Sequence, residues 1–302
     1  MDKIVITTTS FGEFDKGPLR LLQNKRLEAA LNPYKRKLTK EEVAKLCKNA
    51  IGIIAGTEIL DAKVIEKLPE LKVISRCGSG LDNVDCNAAN KNGIKVFNTS
   101  DAPVLAVAEL TIGLIIGLLR KVNQMEIAMR NGRWEKLMGN LLCEKKVGII
   151  GFGRIGRKVA RLLRAFRCEI AYSDPFLKNG LLGLKRLSME GMLRWADIIT
   201  IHVSGRDKLI GHKELKLMKE GSWIINTSRG GVIDEPALCE YLKNGHISGA
   251  ALDVFGDEPY NGQLKQLDNV LLTPHIGSYA KEARVKMERE AVDNLLKGLG
   301  AD

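Results

Sequence analysis

Short apolar runs rich in β-branched residues recur through the first hundred residues, at 4–7, 51–54, 73–76 and 94–97. Their length and composition predict strands. Between them, over 18–30, 40–48 and 62–68, apolar positions fall at helical spacing and predict helices. Strand and helix alternate, so the expected arrangement is a parallel sheet with helices on both faces. Ligands of such sheets sit beyond the carboxyl ends of the strands. Here those ends carry Thr8-Thr9-Ser10-Phe11, Ala55-Gly56-Thr57-Glu58 and Cys77-Gly78-Ser79-Gly80.

The rhythm is then interrupted. Residues 98–103 read as a turn, with Ser100 or Asp101 placed to cap a helix and Pro103 suited to its first turn. A long apolar helix is expected over 104–120 and a second over 122–131. The apolar length of the first suggests packing on another subunit as well as on its own core. From Lys145 the alternation resumes, with strands expected at 147–150, 169–172, 197–201, 223–226, 249–252 and 270–272. A last helix over about 280–296 follows the turn at Pro274 and is expected to rejoin the first sheet. The fold class is therefore α/β, with two Rossmann-like, doubly wound parallel-sheet domains. The second is inserted into the first: 1–99 with 277–302, and 100–276.

The strand at 147–150 runs without a spacer into Gly151-Phe152-Gly153-Arg154-Ile155-Gly156, and apolar positions at helical spacing follow. Gly151 permits the turn, Gly153 lets backbone N–H groups approach a pyrophosphate, and Gly156 lets the helix lie close to the strand. The helix N-terminus adds unpaired N–H groups and partial positive charge. Asp174, eighteen residues after Gly156, ends the next expected strand and can bind ribose hydroxyls. Strand, loop, helix and acid together predict a dinucleotide site.

Three later stretches carry candidate chemistry. Asn226-Thr227-Ser228-Arg229-Gly230-Gly231 ends a buried strand, and the Arg229 fork can hold a carboxylate through two parallel hydrogen bonds; an ordinary turn arginine is the alternative. Asp253 ends another strand and Glu258 lies in the loop beyond, a pattern that alone reads as an acidic turn. In Thr273-Pro274-His275-Ile276-Gly277-Ser278, His275 is the one histidine of four in a glycine-bearing loop after a strand and proline. Imidazole titrates near neutrality, which suits proton exchange with an alcohol. His202 also ends a strand and is expected at the cofactor edge or in a structural role; His212 and His246 read as surface residues.

Composition narrows the field without changing it. The chain has 302 residues, 45% hydrophobic and 27% charged, with a formal net charge of +11. The basic residues are spread along the chain, so no nucleic-acid partner is expected. No apolar run reaches membrane length and no signal-peptide pattern opens the chain. Six cysteines lack metal-ligand spacing, which predicts reduced thiols, no metal site and a cytoplasmic location.

With these motifs in view, the sequence resembles the D-isomer-specific 2-hydroxyacid dehydrogenases over nearly its whole length. The supporting stretches are 76–85, the Gly151 loop, 226–231, 252–259 and 273–277. The resemblance implies a flavodoxin-like substrate domain, an NAD-binding domain and a homodimer formed through the latter. It implies that Arg229 binds the substrate carboxylate and keto oxygen, that His275 is the general acid/base, and that Glu258 pairs with it. Asp253 would hydrogen-bond the nicotinamide carboxamide, and Arg154 and Ile155 would line the pyrophosphate. Val203, Thr227, Ser228, Gly277 and Ser278 are further cofactor candidates. The backbone of Gly78, Ser79 and Gly80 would help hold the carboxylate, with Arg76 a candidate for a phosphate. Asp174 would select NAD by repelling a 2′-phosphate.

Within the family the 78–85 stretch most resembles 3-phosphoglycerate dehydrogenases of serine biosynthesis, so oxidation of 3-phospho-D-glycerate is the expected activity. Glu58 argues against it, standing where many of those enzymes offer a basic residue. Reduction of glyoxylate or hydroxypyruvate is the alternative, and an NAD-sensing corepressor a remote one. No serine-sensing domain, and no serine feedback, is expected.

Overall fold

The computed structural model describes residues 2–177 and 180–301. The chain divides into two compact units, residues 1–103 with 278–302, and residues 104–277.

In the first unit the strands are β1 (Asp2–Ile6), β2 (Leu27–Leu31), β3 (Ala50–Ala55), β4 (Val73–Arg76) and β5 (Lys95–Asn98). Helices α1 (Gly17–Asn24), α2 (Lys40–Leu46), α3 (Ala62–Ile65) and α4 (Cys86–Lys91) connect them. The sheet is parallel, in the order β2-β1-β3-β4-β5. One buried cluster, with Val43, Ile53, Val64 and Ile74, covers one part of it, and another holds Ile4, Ile6, Leu22 and Val73. The C-terminal helix (Lys281–Leu299) joins the latter cluster through Met287, Ala291, Val292, Leu295 and Leu296. Leu295 comes so near the sheet that a side chain on Gly52 would lie 2.8 Å from it. This helix also buries a charge: Glu288 is fully enclosed, accepting Arg284 Nε at 2.8 Å and the Gly12 amide at 2.9 Å.

The helix expected over 18–30 is half right. It stops at Asn24, Arg26 turns the chain with φ 57°, and β2 follows. Leu27-Glu28-Ala29-Ala30-Leu31 is built of good helix formers, but it pairs in parallel with β1, Asp2 opposite Leu27 through Ile6 opposite Leu31. Strand pairing overrides local propensity here.

The second unit opens with α5 (Val104–Leu119) and α6 (Val122–Arg130). Its strands are β6 (Lys146–Ile150), β7 (Glu169–Ser173), β8 (Lys185–Arg186), β9 (Ile198–Ile201), β10 (Ser222–Asn226), β11 (Ile247–Leu252) and β12 (Val270–Leu272). Helices α7 (Arg154–Leu163), α8 (Met189–Trp195), α9 (His212–Leu217) and α10 (Glu235–Lys243) lie between them, and α11 is the C-terminal helix already described. All seven strands are parallel, ordered β12-β11-β10-β9-β6-β7-β8. The two-residue edge strand β8 leaves too short a pattern to be read from the sequence. Order reverses between β6 and β9, and at such a switch point the loops leave a crevice for a ligand. Among the described residues, no helix is long and apolar enough to cross a membrane.

Candidate active site

The Gly151 loop leaves β6 at that switch point. Gly151 has φ 85°, and a Cβ there would lie 2.5 Å from the carbonyl oxygen of His202, so no side chain fits. The same contact brings Val203 alongside, its amide nitrogen 3.0 Å from the Gly151 Cβ position. Gly156 faces inward: its missing Cβ would lie 2.3 Å from Gly151 O, which sets the closeness of α7 to the strand. Gly153 caps α7 and looks into open space, with nothing within 4 Å of its Cβ position. A glycine cap has no side chain to occupy the first N–H groups of the helix, and they suit a pyrophosphate. Arg154 is exposed in the first turn, whereas Ile155 packs partly into the core. Arg157, which the motif does not single out, donates from Nε to Phe152 O at 3.0 Å and braces the loop.

Asp174 follows β7. Its Oδ2 accepts the Phe152 amide at 2.8 Å and its Oδ1 accepts the Phe176 amide at 2.9 Å. Each carboxylate oxygen retains a lone pair for a ribose hydroxyl. Open glycine cap, close helix and fixed acid together fit a dinucleotide.

Three strand-end loops of this unit lie side by side, and the last carries the candidate proton-transfer group. After β10, Asn226 Oδ1 accepts both the amide and the hydroxyl of Ser228, at 3.0 and 2.7 Å, and its Nδ2 donates to Arg229 O at 2.9 Å. Thr227 meets Thr111 of α5, hydroxyl to hydroxyl, at 2.9 Å. Arg229, half-buried, donates Nη1 to Ser228 O at 2.8 Å. A Cβ on Gly230 would stand 1.7 Å from Phe255 O, so this loop and the one after β11 are in backbone contact.

Asp253 follows β11 and is 1% exposed. It accepts Thr273 Oγ1 at 2.6 Å, the Ile276 amide at 2.8 Å and the Gly277 amide at 2.8 Å. Burial pushes its carboxyl up from the ordinary value, against those hydrogen bonds and the nearby His275. The sequence gives no hint of this role, because the partners lie 20 to 24 residues away. Within the loop they define, His275 takes φ 54°, a left-handed conformation that costs a non-glycine residue about 1 kcal/mol or more.

The His275 imidazole meets Glu258, Nδ1 to Oε2, at 2.8 Å. With Glu258 ionised and the ring neutral, Nδ1 carries the hydrogen and Nε2 is left with its lone pair. Burial raises the Glu258 carboxyl, but the His275 hydrogen bond and charge, the Phe255 amide and the Arg206 charge outweigh it and hold the group below its ordinary value. The pair can take and return a proton from a bound hydroxyl while the carboxylate offsets the imidazolium charge.

Not every candidate joins this cluster. His202 is held by Thr200 Oγ1 at 2.9 Å, and burial pushes its imidazole down to about 3, so it stays neutral. His212 is exposed as expected, but His246 is half-buried, with Nε2 3.1 Å from Leu215 O and its ring edge-on to Tyr241. Gly277 is buried, and Ser278 begins the return to the first unit.

In the first unit, the loop after β4 closes on itself. Gly78 donates its amide to Thr99 Oγ1 at 2.7 Å, so that amide is already committed. Arg76 folds back to donate Nη1 to Cys77 O at 2.6 Å, and Ser79 O accepts Asn98 Nδ2 at 2.7 Å. Among the described residues no hydrogen bond engages the amides of Ser79 and Gly80. Glu58, after β3, is 1% exposed: it accepts the Thr7 hydroxyl and, at 3.0 Å, the Gly56 amide.

Comparison with known proteins points to one family. The sequence model described as "D-isomer specific 2-hydroxyacid dehydrogenase, NAD binding domain" matches residues 112–277. The chain is similar to a hydroxypyruvate reductase of Thermotoga maritima, 36% identical over 95% of this chain and 96% of that one. It is also similar to a D-3-phosphoglycerate dehydrogenase of Methanocaldococcus jannaschii, 40% identical over 82% of this chain but only 49% of that longer one. A solved structure of a Thermus thermophilus protein superposes with a TM-score of 0.91 at 33% identity, covering 99% of this chain and 97% of that one. On its motifs, its fold and these matches, the chain belongs to the D-isomer specific 2-hydroxyacid dehydrogenase family and carries that family's NAD-binding domain.

Proposed function

We propose that the protein interconverts a small D-2-hydroxy acid and its 2-oxo acid with NAD, and that the acid is unphosphorylated, of glyoxylate or hydroxypyruvate size. The His275–Glu258 pair at 2.8 Å carries the chemical part of this reading. In oxidation His275 Nε2 accepts the proton of the 2-hydroxyl, and in reduction it returns it. Glu258 holds the opposite ring nitrogen and offsets the charge that forms. Arg229 binds the carboxylate and the C2 oxygen, and within the first unit the Ser79 and Gly80 amides suit a carboxylate. The coenzyme supplies the hydride chemistry at C2. Gly151, Gly153, Arg154, Ile155 and Gly156 bind its pyrophosphate and Asp174 its ribose, while Val203, Thr227, Ser228, Gly277 and Ser278 line it. Asp253 acts on the nicotinamide through the loop it holds, because its carboxylate is buried among three donors.

The size of the acid is argued from Glu58 and Arg76. A buried carboxylate at one strand end disfavours a second anionic group nearby. Arg76, the basic residue at the end of β4, donates to its own loop. Similarity to the Methanocaldococcus jannaschii enzyme supports 3-phospho-D-glycerate as a second reading. Steady-state assays with glyoxylate, hydroxypyruvate and 3-phosphohydroxypyruvate separate the two, and a preference for the phosphorylated acid overturns the first choice.

We infer a homodimer through the second unit. Trp134, Met138 and Leu141 are 78%, 88% and 69% exposed, and Leu105, Val122, Ile127 and Met129 are also exposed. So many large apolar side chains in one short stretch exceed the scattered ones of a typical monomer surface. Light scattering coupled to gel filtration tests the dimer, and a monomer at micromolar concentration contradicts it.

A further inference from the structure

Glu235 is the first residue of α10, but it does not cap that helix. Asp234 does so, accepting the Ala237 amide at 3.1 Å. The Glu235 side chain instead crosses to the loop after β11, where its Oε1 accepts the Gly256 amide at 2.8 Å. Next to that amide, Phe255 donates its own amide to Glu258 Oε1 at 3.2 Å, and Glu258 Oε2 meets His275 Nδ1. The loop from Val254 to Glu258 has no helix or strand of its own. Two contacts therefore tie it to the Arg229 loop: the backbone approach of Gly230 to Phe255 O, and the Glu235–Gly256 bond. A Cβ on Gly256 would lie 3.6 Å from Glu235 Oε1 and 4.0 Å from the Gly231 amide nitrogen, which places Glu235 at the seam of the two loops.

We propose that Glu235 is a positioning residue for the Glu258–His275 pair. By anchoring Gly256 it fixes the Phe255–Glu258 turn, and so aims the Glu258 carboxylate at His275 and holds both in register with Arg229. The inference rests on the reading of His275 as the proton-exchanging group. Of the other charged groups near the pair, Arg206 faces Glu258 from a separate element, and Asp253, which faces His275, immediately precedes the loop and is held by Thr273 and the Ile276 and Gly277 amides. Loss of the anchor lets Glu258 drift, which weakens the hydrogen bond that orients the imidazole.

The test compares wild type, Glu235→Ala, Glu235→Gln and Glu258→Gln in the full chain. The Glu258–His275 hydrogen bond is followed by NMR through the His275 ring N–H resonance in histidine-labelled protein, alongside kcat and KM for hydroxypyruvate and the NADH dissociation constant. Glu235→Ala is expected to weaken that hydrogen bond, moving the resonance in the same direction as Glu258→Gln but less far. It should lower kcat about tenfold, within the range that a small misplacement costs, with NADH binding little changed. Glu235→Gln keeps an acceptor oxygen and should restore both the resonance and kcat. An unchanged resonance in Glu235→Ala, or a Gln variant as impaired as the Ala variant, overturns the proposal. The resonance decides this even if the wild type turns over no 2-oxo acid, a result that would defeat the catalytic reading separately.

Discussion

Asp174 and Phe152 are joined across the glycine loop: the carboxylate that follows β7 accepts the Phe152 amide at 2.8 Å. The acid is thereby fixed relative to the N-terminus of α7, and the Phe152 ring stacks on Tyr172 with centroids 4.1 Å apart. A fixed carboxylate at this point binds two hydroxyls well and a phosphate badly.

Replacing Asp174 with serine should therefore weaken NAD and relieve NADP. Losing a charge-assisted hydrogen bond costs about 1.5–3 kcal/mol, so NAD affinity should fall by roughly 10- to 100-fold. Titration of both coenzymes against wild type and variant checks this; unchanged selectivity would remove Asp174 from the coenzyme site.

The depressed Glu258 carboxyl has a consequence for acid stability. A carboxyl held below its ordinary value binds its proton less readily when folded. It contributes stability that is present above about pH 4.5, its ordinary value, and is lost as pH falls through the lower folded value. Thermal melts between pH 6 and about pH 3 should show Glu258→Gln flatter than wild type over the acid limb. The difference should be small, because the Glu258 side chain is 37% exposed.

Asp253→Asn should impair the His275 loop. One carboxylate oxygen becomes an NH2 group facing Thr273 or the amides of Ile276 and Gly277, all of which donate. An unsatisfied buried donor costs about 1–3 kcal/mol. Against this, removing a buried charge that is already disfavoured returns part of the cost. Denaturant unfolding should show net destabilisation with a loss of kcat. A variant as stable and active as wild type would mean that the loop does not depend on this carboxylate.

How much of this is legible in the sequence follows from how far apart the cooperating residues lie. Gly151, Gly153, Gly156 and Asp174 act within one strand–helix–strand unit, so spacing alone exposes them. Arg229, Glu258 and His275 are each visible as polar residues at or beyond strand ends, but that their loops lie side by side depends on the β10-β11-β12 order of the sheet. The services that hold them are hidden. Asp253 reads as a ligand-facing acid and turns out to be buried beneath its loop, and the Gly78 amide offered to a substrate is taken by Thr99, 21 residues on. Strand β2 is hidden for another reason, since its residues favour a helix until β1 pairs with them.

The most direct measurement is NADH oxidation with hydroxypyruvate and glyoxylate by wild type and His275→Ala, with NADH binding followed in parallel by fluorescence. The account predicts turnover of at least one acid by wild type, its loss by about 100-fold or more in the variant, and NADH binding retained in both. No oxidation of NADH with any 2-oxo acid, or a His275→Ala variant as active as wild type, would contradict it.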